Sequence, residues 1–417
     1  MELTVNLTPE LRLEQALKEK GIENVSDVTK LIVAGTLGKD DFRYIGKKMG
    51  ETLQELDMGD AVLEKNTIRA KTFYQPCGLT AITIPDSVDS MNPKAFNDCP
   101  NLHAITIRPN SKHPGALSDN GVLFNKDKTK LLYCPLGRKG DYIIPDSVVR
   151  IGESAFGGCS GLTSVTIPNS VTEIEMDAFK YCSGLISITI PESVIYIGDT
   201  VFYSCSGLLS IDVHPDNPNY ASVDGVLFNK DKTKLLAFPG GLKSNYFIPN
   251  SVTAIGESAF SYCQLTSLTI PDSVTEIHRL GFWYCENLTS INFSRSIVKI
   301  DFLYSFDNIS EIRVHPDNPK YAAEDGVMFN KNKTVLLFCP RKRLNYKQQT
   351  ESGNSYTIPD SVIKIRKYAI CGRLTSIVIP KSVISVSSWE DDFDYYSVTV
   401  HPDNPFYASE NGKLIDK

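Results

Sequence analysis

A frame of 23 residues recurs along most of this chain. The segment CSGLTSVTIPNSVTEIEMDAFKY, which begins at Cys159, is followed at once by CSGLISITIPESVIYIGDTVFYS, which begins at Cys182. Counting the apolar residue that ends the first strand of each copy gives about fourteen copies. One copy is too short to bury an apolar face by itself, whereas stacked copies bury a continuous core between them. The repeat therefore predicts a solenoid of stacked coils.

Each coil carries the pattern L-x-x-V-x-I-P, as in Leu162, Val165 and Ile167 followed by Pro168. Val165 and Ile167 are two positions apart, so in an extended strand both side chains point inward. Proline then ends the strand because it has no N–H group for the next ladder bond. We expect a parallel sheet on one face of the solenoid. On the other face we expect short helical turns that carry an Ala-Phe pair and a cysteine.

The frame resembles the BspA-type leucine-rich repeats, which are found in surface proteins of gut and oral bacteria. The strand pattern is that of leucine-rich repeats, and the following SVTEI, AF and CSG segments recur with it over roughly residues 53–417. The resemblance implies a leucine-rich repeat solenoid, a β-rich right-handed superhelix. It also implies a cell-surface or secreted protein of a host-associated bacterium, with a host or bacterial surface protein or a glycan as its partner.

The first 60 residues do not follow the frame, and we expect them to form an α/β cap over the first coil. Thr8 and Pro9 predict the start of a helix, and Asp40 predicts the N-cap of a second helix. The solenoid itself is expected over residues 61–417. Longer intervals between coils predict inserted hairpins near residues 108–143, 214–247 and 315–357, and a truncated insert at 401–417.

The second insert contains VHPDNPNYASVDGVLFNKDKTKLLAFP from Val213, and much of it returns from Val314 and again from Val400. Two apolar runs flank the turn NKDKTK, which is typical of a β-hairpin. HPDNP is turn chemistry, because each proline holds the preceding residue extended. We expect the chain to leave the solenoid at this motif and to rejoin it at Ile248.

His214, Asp216 and Asp224 of this insert are candidates for a divalent metal site. One histidine for each insert falls short of a zinc ligand set, and calcium sites usually have more carboxylates. The first insert has no HPDNP motif, although its hairpin sequence is nearly the same. We therefore interpret the insert as architecture and predict no metal site.

Ten cysteines recur largely at the repeat spacing, which leaves two interpretations open. Adjacent coils bring equivalent cysteines to about 5 Å, within the range of a disulfide. Alternatively, the thiols stay free and fill the core as small apolar side chains. Free thiols are favoured because some coils have no cysteine at the equivalent position.

Strand positions that alternate with the buried ones point away from the core and are rich in hydroxyl groups. Threonine at such positions has a structural explanation, because it suits a pleated surface and pairs across strands. The same positions also offer a platform for a protein or glycan ligand, with a charged patch near the carboxyl end. The predicted partner-binding face comprises Thr163, Thr166, Thr189, Thr269, Asn292, Glu311 and Arg313.

Several function classes are disfavoured by composition and motifs. The net charge of −6 argues against nucleic acid, because phosphate binding requires a cationic surface. No apolar stretch is long enough to span a membrane. The sequence contains no Gly-rich phosphate loop and neither HExxH nor GxSxG, so we predict no catalytic residues and no cofactor. A carbohydrate-active enzyme would require two carboxylates about 5–9 Å apart in a cleft.

We expect a monomeric, non-catalytic binding or adhesion protein. The alternative is a scaffold module that displays another domain and has no ligand of its own. The start MELTVNLTPE has no signal peptide, which fits a cytoplasmic protein or an exported one whose leader or lipid anchor was removed. The family resemblance favours a cell-surface or secreted protein.

Overall fold

The chain folds into a β-solenoid of about 14 turns with parallel sheets and few helices, as the repeat predicts. Its residues form two compact units, Met1–Asn219 and Tyr220–Lys417. The computed structural model describes residues 1–70, 72–73, 78–108, 115–243, 246–301, 309–340, 355–370, 376–387 and 397–417.

Short strands make up most of the regular structure. In the first unit they are β1 (Glu2–Leu7), β2 (Lys30–Leu37), β3 (Glu55–Leu63), β4 (Thr67–Ile68), β5 (Ala81–Ile84), β6 (Ser90–Met91), β7 (Ala104–Ile107), β8 (Leu117–Asp119), β9 (Val122–Phe124), β10 (Lys130–Tyr133), β11 (Gly140–Ile143), β12 (Arg150–Ile151), β13 (Leu162–Thr166), β14 (Glu173–Ile174), β15 (Ser187–Ile190), β16 (Tyr196–Ile197) and β17 (Ser210–Val213). In the second unit they are β18 (Tyr220–Val223), β19 (Val226–Asn229), β20 (Lys234–Ala237), β21 (Ala254–Ile255), β22 (Ser267–Thr269), β23 (Glu276–Ile277), β24 (Ser290–Phe293), β25 (Lys299–Ile300), β26 (Glu311–Val314), β27 (Tyr321–Glu324), β28 (Val327–Asn330), β29 (Val335–Phe338), β30 (Ser355–Thr357), β31 (Lys364–Ile365), β32 (Ser376–Ile379), β33 (Ser385–Val386), β34 (Ser397–Val400), β35 (Tyr407–Glu410) and β36 (Lys413–Asp416).

Helical segments lie mainly near the amino terminus. They are α1 (Leu13–Glu19), α2 (Lys39–Tyr44), a π turn at Ile45–Met49 and 3₁₀ turns at Val25–Asp27 and Pro93–Phe96. Within the described ranges, no helix has both the length and the apolar character needed to cross a membrane.

A regular coil begins with a strand formed by its L-x-x-V-x-I segment. These strands belong to several parallel sheets along the chain, which we refer to together as the main sheet. Val165 and Ile167 are buried and Thr166 between them is exposed, as the alternation predicts. The Val171 N–H then donates to the Pro168 carbonyl at 3.1 Å and closes the turn after the strand. β13 pairs in parallel with β11 and β15, so successive coils stack strand on strand.

A second ladder of two-residue strands follows this turn. Ile151, Ile174 and Ile197 lie in register across β12, β14 and β16. Ile151 and Ile174 are fully buried, so each coil adds one apolar rung to the core on this side. Together the main sheet and the second ladder hold every regular coil against its neighbours at two places.

Turns rather than a continuous helix carry the Ala-Phe pair. The Cys159 N–H donates to the Phe156 carbonyl at 3.0 Å, the spacing of a single 3₁₀-type turn. The Phe156 N–H donates instead to the Ala178 carbonyl of the next coil at 2.8 Å. The rings of Phe156, Phe179 and Phe202 stack with centroid separations of 5.0 and 5.9 Å. The third side of the coil is therefore also held coil to coil.

The amino-terminal strands continue the main sheet, which has the order β1-β2-β3-β5-β7 in this region. The prediction that a helix starts at Thr8 and Pro9 is wrong, because α1 begins at Leu13. Thr8 Oγ1 accepts hydrogen bonds from the N–H groups of Glu10 and Leu11, and these bonds form a local turn that competes with a helix.

Asp41, and not the predicted Asp40, holds the start of the second helix. Asp41 is buried, and its carboxylate accepts from the Gly38 N–H and the Leu13 N–H, each at 2.9 Å. Arg12 lies 3.3 Å from the same carboxylate. One side chain thus joins the beginnings of α1 and α2, which sequence spacing alone does not reveal.

The inserts join the solenoid differently from the prediction. β19 and β20 are antiparallel, so the two apolar runs form a hairpin. β20 then pairs in parallel with β21, which places Leu235 beside Ile255 in the second ladder. Leu131 and Ile151 are paired in the same way in the first unit. The chain therefore rejoins the solenoid before the insert ends, because the last strand of the hairpin is itself a strand of the second ladder.

The described free cysteines are all buried: Cys134, Cys159, Cys182, Cys205, Cys263, Cys285 and Cys339. The Sγ atom of Cys182 donates to the Phe156 carbonyl at 3.0 Å. The prediction of free thiols is wrong at Cys99, which is disulfide-bonded. Cys77 and Cys371 lie outside the described residues.

Cys205 is expected to resist alkylation in the native protein. Burial raises the pKa of its thiol to about 12, whereas an unfolded cysteine has a pKa of about 8.5. The native state thus holds this proton more tightly, so this contribution to stability is complete below about pH 8.5 and is lost as the pH rises towards 12. Iodoacetamide at about pH 8 should modify Cys205 only in urea, as read by peptide mass spectrometry. A Thr166→Cys variant is the exposed control, and equal native labelling of both positions would contradict burial of Cys205.

Candidate binding faces

The outer side of the main sheet in the first unit brings the predicted threonines together. β13, β15 and β17 pair in parallel, so equivalent residues of successive coils are about 4.8 Å apart. Thr163, Thr166 and Thr189 are all exposed on this side. We define the first outer face as Thr163, Thr166, Thr189, Ile186 and Leu209.

Asp141 on β11 accepts hydrogen bonds from two of the hydroxyl groups on this side of the sheet. Ser164 Oγ donates to Asp141 Oδ1 at 2.8 Å, and Thr163 Oγ1 donates to the same atom at 3.0 Å. These two bonds, with that of Ser164 the stronger influence, hold the pKa of the Asp141 carboxyl below its usual range. Within the described residues, the hydroxyls of Thr166 and Thr189 have no hydrogen-bond partner, so each retains donor and acceptor capacity for a ligand.

Ile186 and Leu209 add apolar area that the sequence pattern did not single out. Each side chain is 50% exposed, and the Leu209 N–H donates to the Ile186 carbonyl at 2.8 Å, so they lie on neighbouring coils. They take the position that Thr163 holds one coil earlier, since the Ile186 N–H donates to the Thr163 carbonyl. The available signal was the change from GLT to GLI and GLL at the start of the strand.

A second outer face lies on the main sheet of the second unit and comprises Thr269, Asn292, Glu311 and Arg313. Thr269, Asn292 and Arg313 are in register across β22, β24 and β26. Asn292 Nδ2 donates to Thr269 Oγ1 at 3.5 Å. The Arg313 guanidinium donates to both Glu311 carboxylate oxygens at 2.8 Å, so the predicted charged patch contains a bidentate ion pair. Arg313 is the more exposed partner, which leaves its outer surface open to solvent.

The HPDNP loop of the first unit groups His214 with two carboxylates. Ligand-capable atoms of His214, Asp216 and Glu192 lie within 4.8 Å of one another, and all three residues are exposed. Asp224, the other predicted candidate, occupies the hairpin turn with a φ of 50°. His214 Nδ1 accepts a hydrogen bond from the Asp216 N–H at 3.3 Å, so this ring nitrogen already serves the loop.

The related loops keep this backbone bond but lose the acidic neighbour. The Asp317 N–H donates to His315 Nδ1 at 3.2 Å, and the Asp403 N–H donates to the equivalent histidine at 3.2 Å. Arg295 and Lys381 stand in the sequence where the first loop has its glutamate. The shared role of the histidine is therefore to hold the turn.

The repeats match the family model described as BspA type Leucine rich repeat region (6 copies), over residues 65–116, 139–244, 237–322 and 345–390. These ranges cover more than half of the chain. The chain belongs to the BspA-type leucine-rich repeat family. No curated protein matches it significantly.

Three solved structures are similar to this BspA-type protein over most of both chains. A leucine-rich repeat protein from Eubacterium ventriosum ATCC 27560 is 19% identical, with a TM-score of 0.49 and coverage of 92% of this chain and 93% of that one. A leucine rich cell surface protein from Faecalibacterium prausnitzii A2-165 is 22% identical, with a TM-score of 0.41 and coverage of 82% and 86%. The pneumococcal vaccine antigen PcpA is 20% identical, with a TM-score of 0.42 and coverage of 84% and 85%.

The asparagine of HPDNP has a structural role that motif reasoning missed. Asn217 is fully buried, and its Nδ2 donates to the carbonyls of Pro191 at 2.7 Å and Val194 at 2.9 Å. Asn318 and Asn404 make the same pair of bonds to their own preceding coils. This side chain fastens the loop to the turn of the coil before it, which favours architecture as the reason for the recurrence of HPDNP.

Proposed function

We propose that this BspA-type repeat protein is a monomeric, non-catalytic binding protein of the bacterial cell surface, or a secreted one. Its outer faces take a protein or glycan partner. The observation that carries the proposal is the composition of the first outer face. Within the described residues, the hydroxyls of Thr166 and Thr189 have no internal partner. Ile186 and Leu209 lie just before β15 and β17 and are half-exposed on neighbouring coils.

This combination suits recognition because its two kinds of side chain contribute differently. Burying the exposed half of Ile186 and of Leu209 contributes on the order of 1 kcal/mol each to association. The hydroxyls add little net energy but orient a partner through directional hydrogen bonds. The stacked strands hold these groups at fixed spacing, and such preorganisation lowers the entropic cost of binding. Family membership supports placement at the cell surface.

The second outer face offers a more polar contact of the same kind. Arg313 presents an exposed guanidinium already oriented by Glu311. Because this pair is accessible to water, it contributes little to folding, and its role in the proposal is to select a partner of complementary charge. Thr269 and Asn292 extend the hydrogen-bonding surface beside it.

A Thr189→Arg variant is expected to weaken partner binding at least tenfold, which corresponds to about 1.4 kcal/mol. The long charged side chain stands over the first outer face and hinders close approach. Binding is measured against immobilised fibronectin, immobilised fibrinogen and a glycan array. Thr172→Arg is the matched control, because Thr172 begins the second-ladder segment of a neighbouring coil and lies outside the first outer face.

Two outcomes would count against the proposal. Equal binding by wild type and Thr189→Arg would place recognition outside the first outer face. Background signal with every probe, from protein shown to be folded by circular dichroism, would favour the scaffold alternative.

A further inference from the structure

A pocket of about 410 Å³ lies in the amino-terminal part of the first unit, between α2 and the segments that follow β3 and β4. We call it the cap pocket. It shares no residue with either outer face, so a ligand of the cap pocket would be additional to the proposed function and independent of it.

Basic side chains dominate the lining of the cap pocket. Its charged lining residues are Lys39, Arg43, Lys47, Lys65, Arg69 and Glu64. Among the described lining residues there are five cations and one carboxylate, whereas the whole chain has a net charge of −6. A cleft lined by one sign of charge concentrates ions of the opposite sign.

Glu64, the one carboxylate among the described lining residues, is already paired. Arg12 Nη2 lies 2.6 Å from Glu64 Oε1. Arg43 is paired with Asp40 at 2.8 Å. Within the part of the chain that the structure describes, the side-chain charges of the four remaining cations have no ion-pair partner: Lys39, Lys47, Lys65 and Arg69. An anion entering the pocket therefore meets available positive charge.

The cations stand in two rows that face each other. Lys39, Arg43 and Lys47 are spaced by four residues, so they share one side of the helical segment. Lys65 and Arg69 come from the facing segments, and Arg69 is held by its N–H bond to Thr72 Oγ1 at 3.0 Å. Two rows of charges fit a ligand with several anionic groups better than a single small anion.

The cap pocket continues into a second concavity. An adjoining groove of about 630 Å³ shares Thr67, Arg69 and Ala70 with it. The lysines of this groove are neutralised, since Lys130 Nζ lies 2.6 Å from Glu175 and Lys94 Nζ lies 3.5 Å from Glu153. A long ligand can thus place its anionic groups in the cap pocket and extend along a polar groove with balanced charge.

We propose that the cap pocket binds an acidic polysaccharide through its sulfate or carboxylate groups. Phe42 forms an apolar part of the pocket wall, fixed edge-on to Phe73 with ring centroids 5.7 Å apart. It offers a surface for the apolar side of a sugar ring. Lys47 and Arg69 supply charges from the two opposing rows.

The test measures binding of heparin, polygalacturonate and neutral dextran to the full chain by calorimetry at about 0.05 and 0.15 M NaCl. Heparin carries sulfates and polygalacturonate carries only carboxylates, so these probes distinguish the two anionic groups. Wild type is expected to bind at least one acidic polymer, with lower affinity at the higher salt concentration. It is expected not to bind dextran. A Lys47→Glu, Arg69→Glu double variant is expected to bind at least tenfold more weakly and to show a smaller salt dependence.

The matched control is Lys126→Glu with Lys139→Glu, which changes the net charge equally at exposed positions of the same unit outside the pocket. Its affinity should stay within twofold of wild type. The proposal is overturned if neither acidic polymer binds, if dextran binds as well, or if both double variants lose affinity equally or keep it fully. Vesicles that contain phosphatidylglycerol are titrated in the same way, and binding to them alone would also overturn the proposal, in favour of a lipid surface.

Discussion

Replacing Phe179 with alanine is expected to lower the free energy of unfolding by about 3–5 kcal/mol. The ring is fully buried and stacks between Phe156 and Phe202, with centroid separations of 5.0 and 5.9 Å. Its removal leaves a cavity bounded by two neighbouring coils, which cannot collapse inward while the main sheet and the second ladder hold their spacing. Urea unfolding followed by circular dichroism measures the loss.

Tyr196→Ala is the matched control for this prediction, because Tyr196 is an aromatic residue of the same unit that is 52% exposed. Its cost should stay below about 1 kcal/mol. Hydrogen exchange adds a local measurement, since the coils that carry Phe156 and Phe202 should exchange faster in Phe179→Ala. Similar losses in the two variants would mean that the phenylalanine column does not hold the coils together.

Asn217→Ala is expected to cost about 2–4 kcal/mol of stability. Asn217 Nδ2 donates to the Pro191 and Val194 carbonyls, and Asn217 Oδ1 accepts from the Asn219 N–H at 2.9 Å. Pro191 and Val194 are buried, so alanine leaves their carbonyls without these donors. Thermal and urea unfolding of the variant provide the measurement.

Two further variants separate hydrogen bonding from side-chain size. Asn217→Asp keeps the shape but points a carboxylate oxygen at two carbonyl oxygens, so at neutral pH it should cost at least as much as alanine. Asn219→Ala removes one exposed bond to the Ile195 carbonyl, 2.7 Å long, and should cost less than about 1 kcal/mol. If Asn217→Asp were as stable as wild type, the buried amide would not be the fastening group.

Local periodicity was sufficient to predict the main sheet. Val165 and Ile167 follow the two-residue period of a strand, and the next copy repeats them after 23 residues, so strand direction and stacking are both specified. The outward position of Thr166 and Thr189 follows from the same alternation. The positions of these residues were predictable because, in a stacked repeat, the residues that pack against each other in neighbouring coils occupy the same place in the 23-residue frame.

Other features depended on contacts that local sequence does not encode. The hairpin was predictable from its apolar runs and its turn, but the pairing of Leu235 with Ile255 was not, because that partner lies in the following coil. Cys99 has the same place in the frame as cysteines that stay free, yet it is disulfide-bonded. Position in the repeat frame therefore does not tell which cysteine is paired.

The candidate sites show the same division. The exposed threonines were predictable from the sequence. The exposed apolar pair Ile186 and Leu209 was not, because it became apparent only from the hydrogen bond that places the two residues on neighbouring coils. The cap pocket was not predicted, because Lys47 and Arg69 are distant in the chain and meet only after the amino-terminal strands join the first coils.

By itself, the sequence determined the solenoid, its period and the inward and outward sides of each strand, because a stacked repeat satisfies its apolar positions in only one way. Only the tertiary structure showed which buried polar side chains bond a loop to the preceding coil, which cysteine forms a disulfide, and which cations line the cap pocket. HPDNP illustrates the difference. Its histidine and aspartate drew attention as possible metal ligands, while the decisive residue is Asn217, whose role exists only when a preceding turn presents two carbonyls to it.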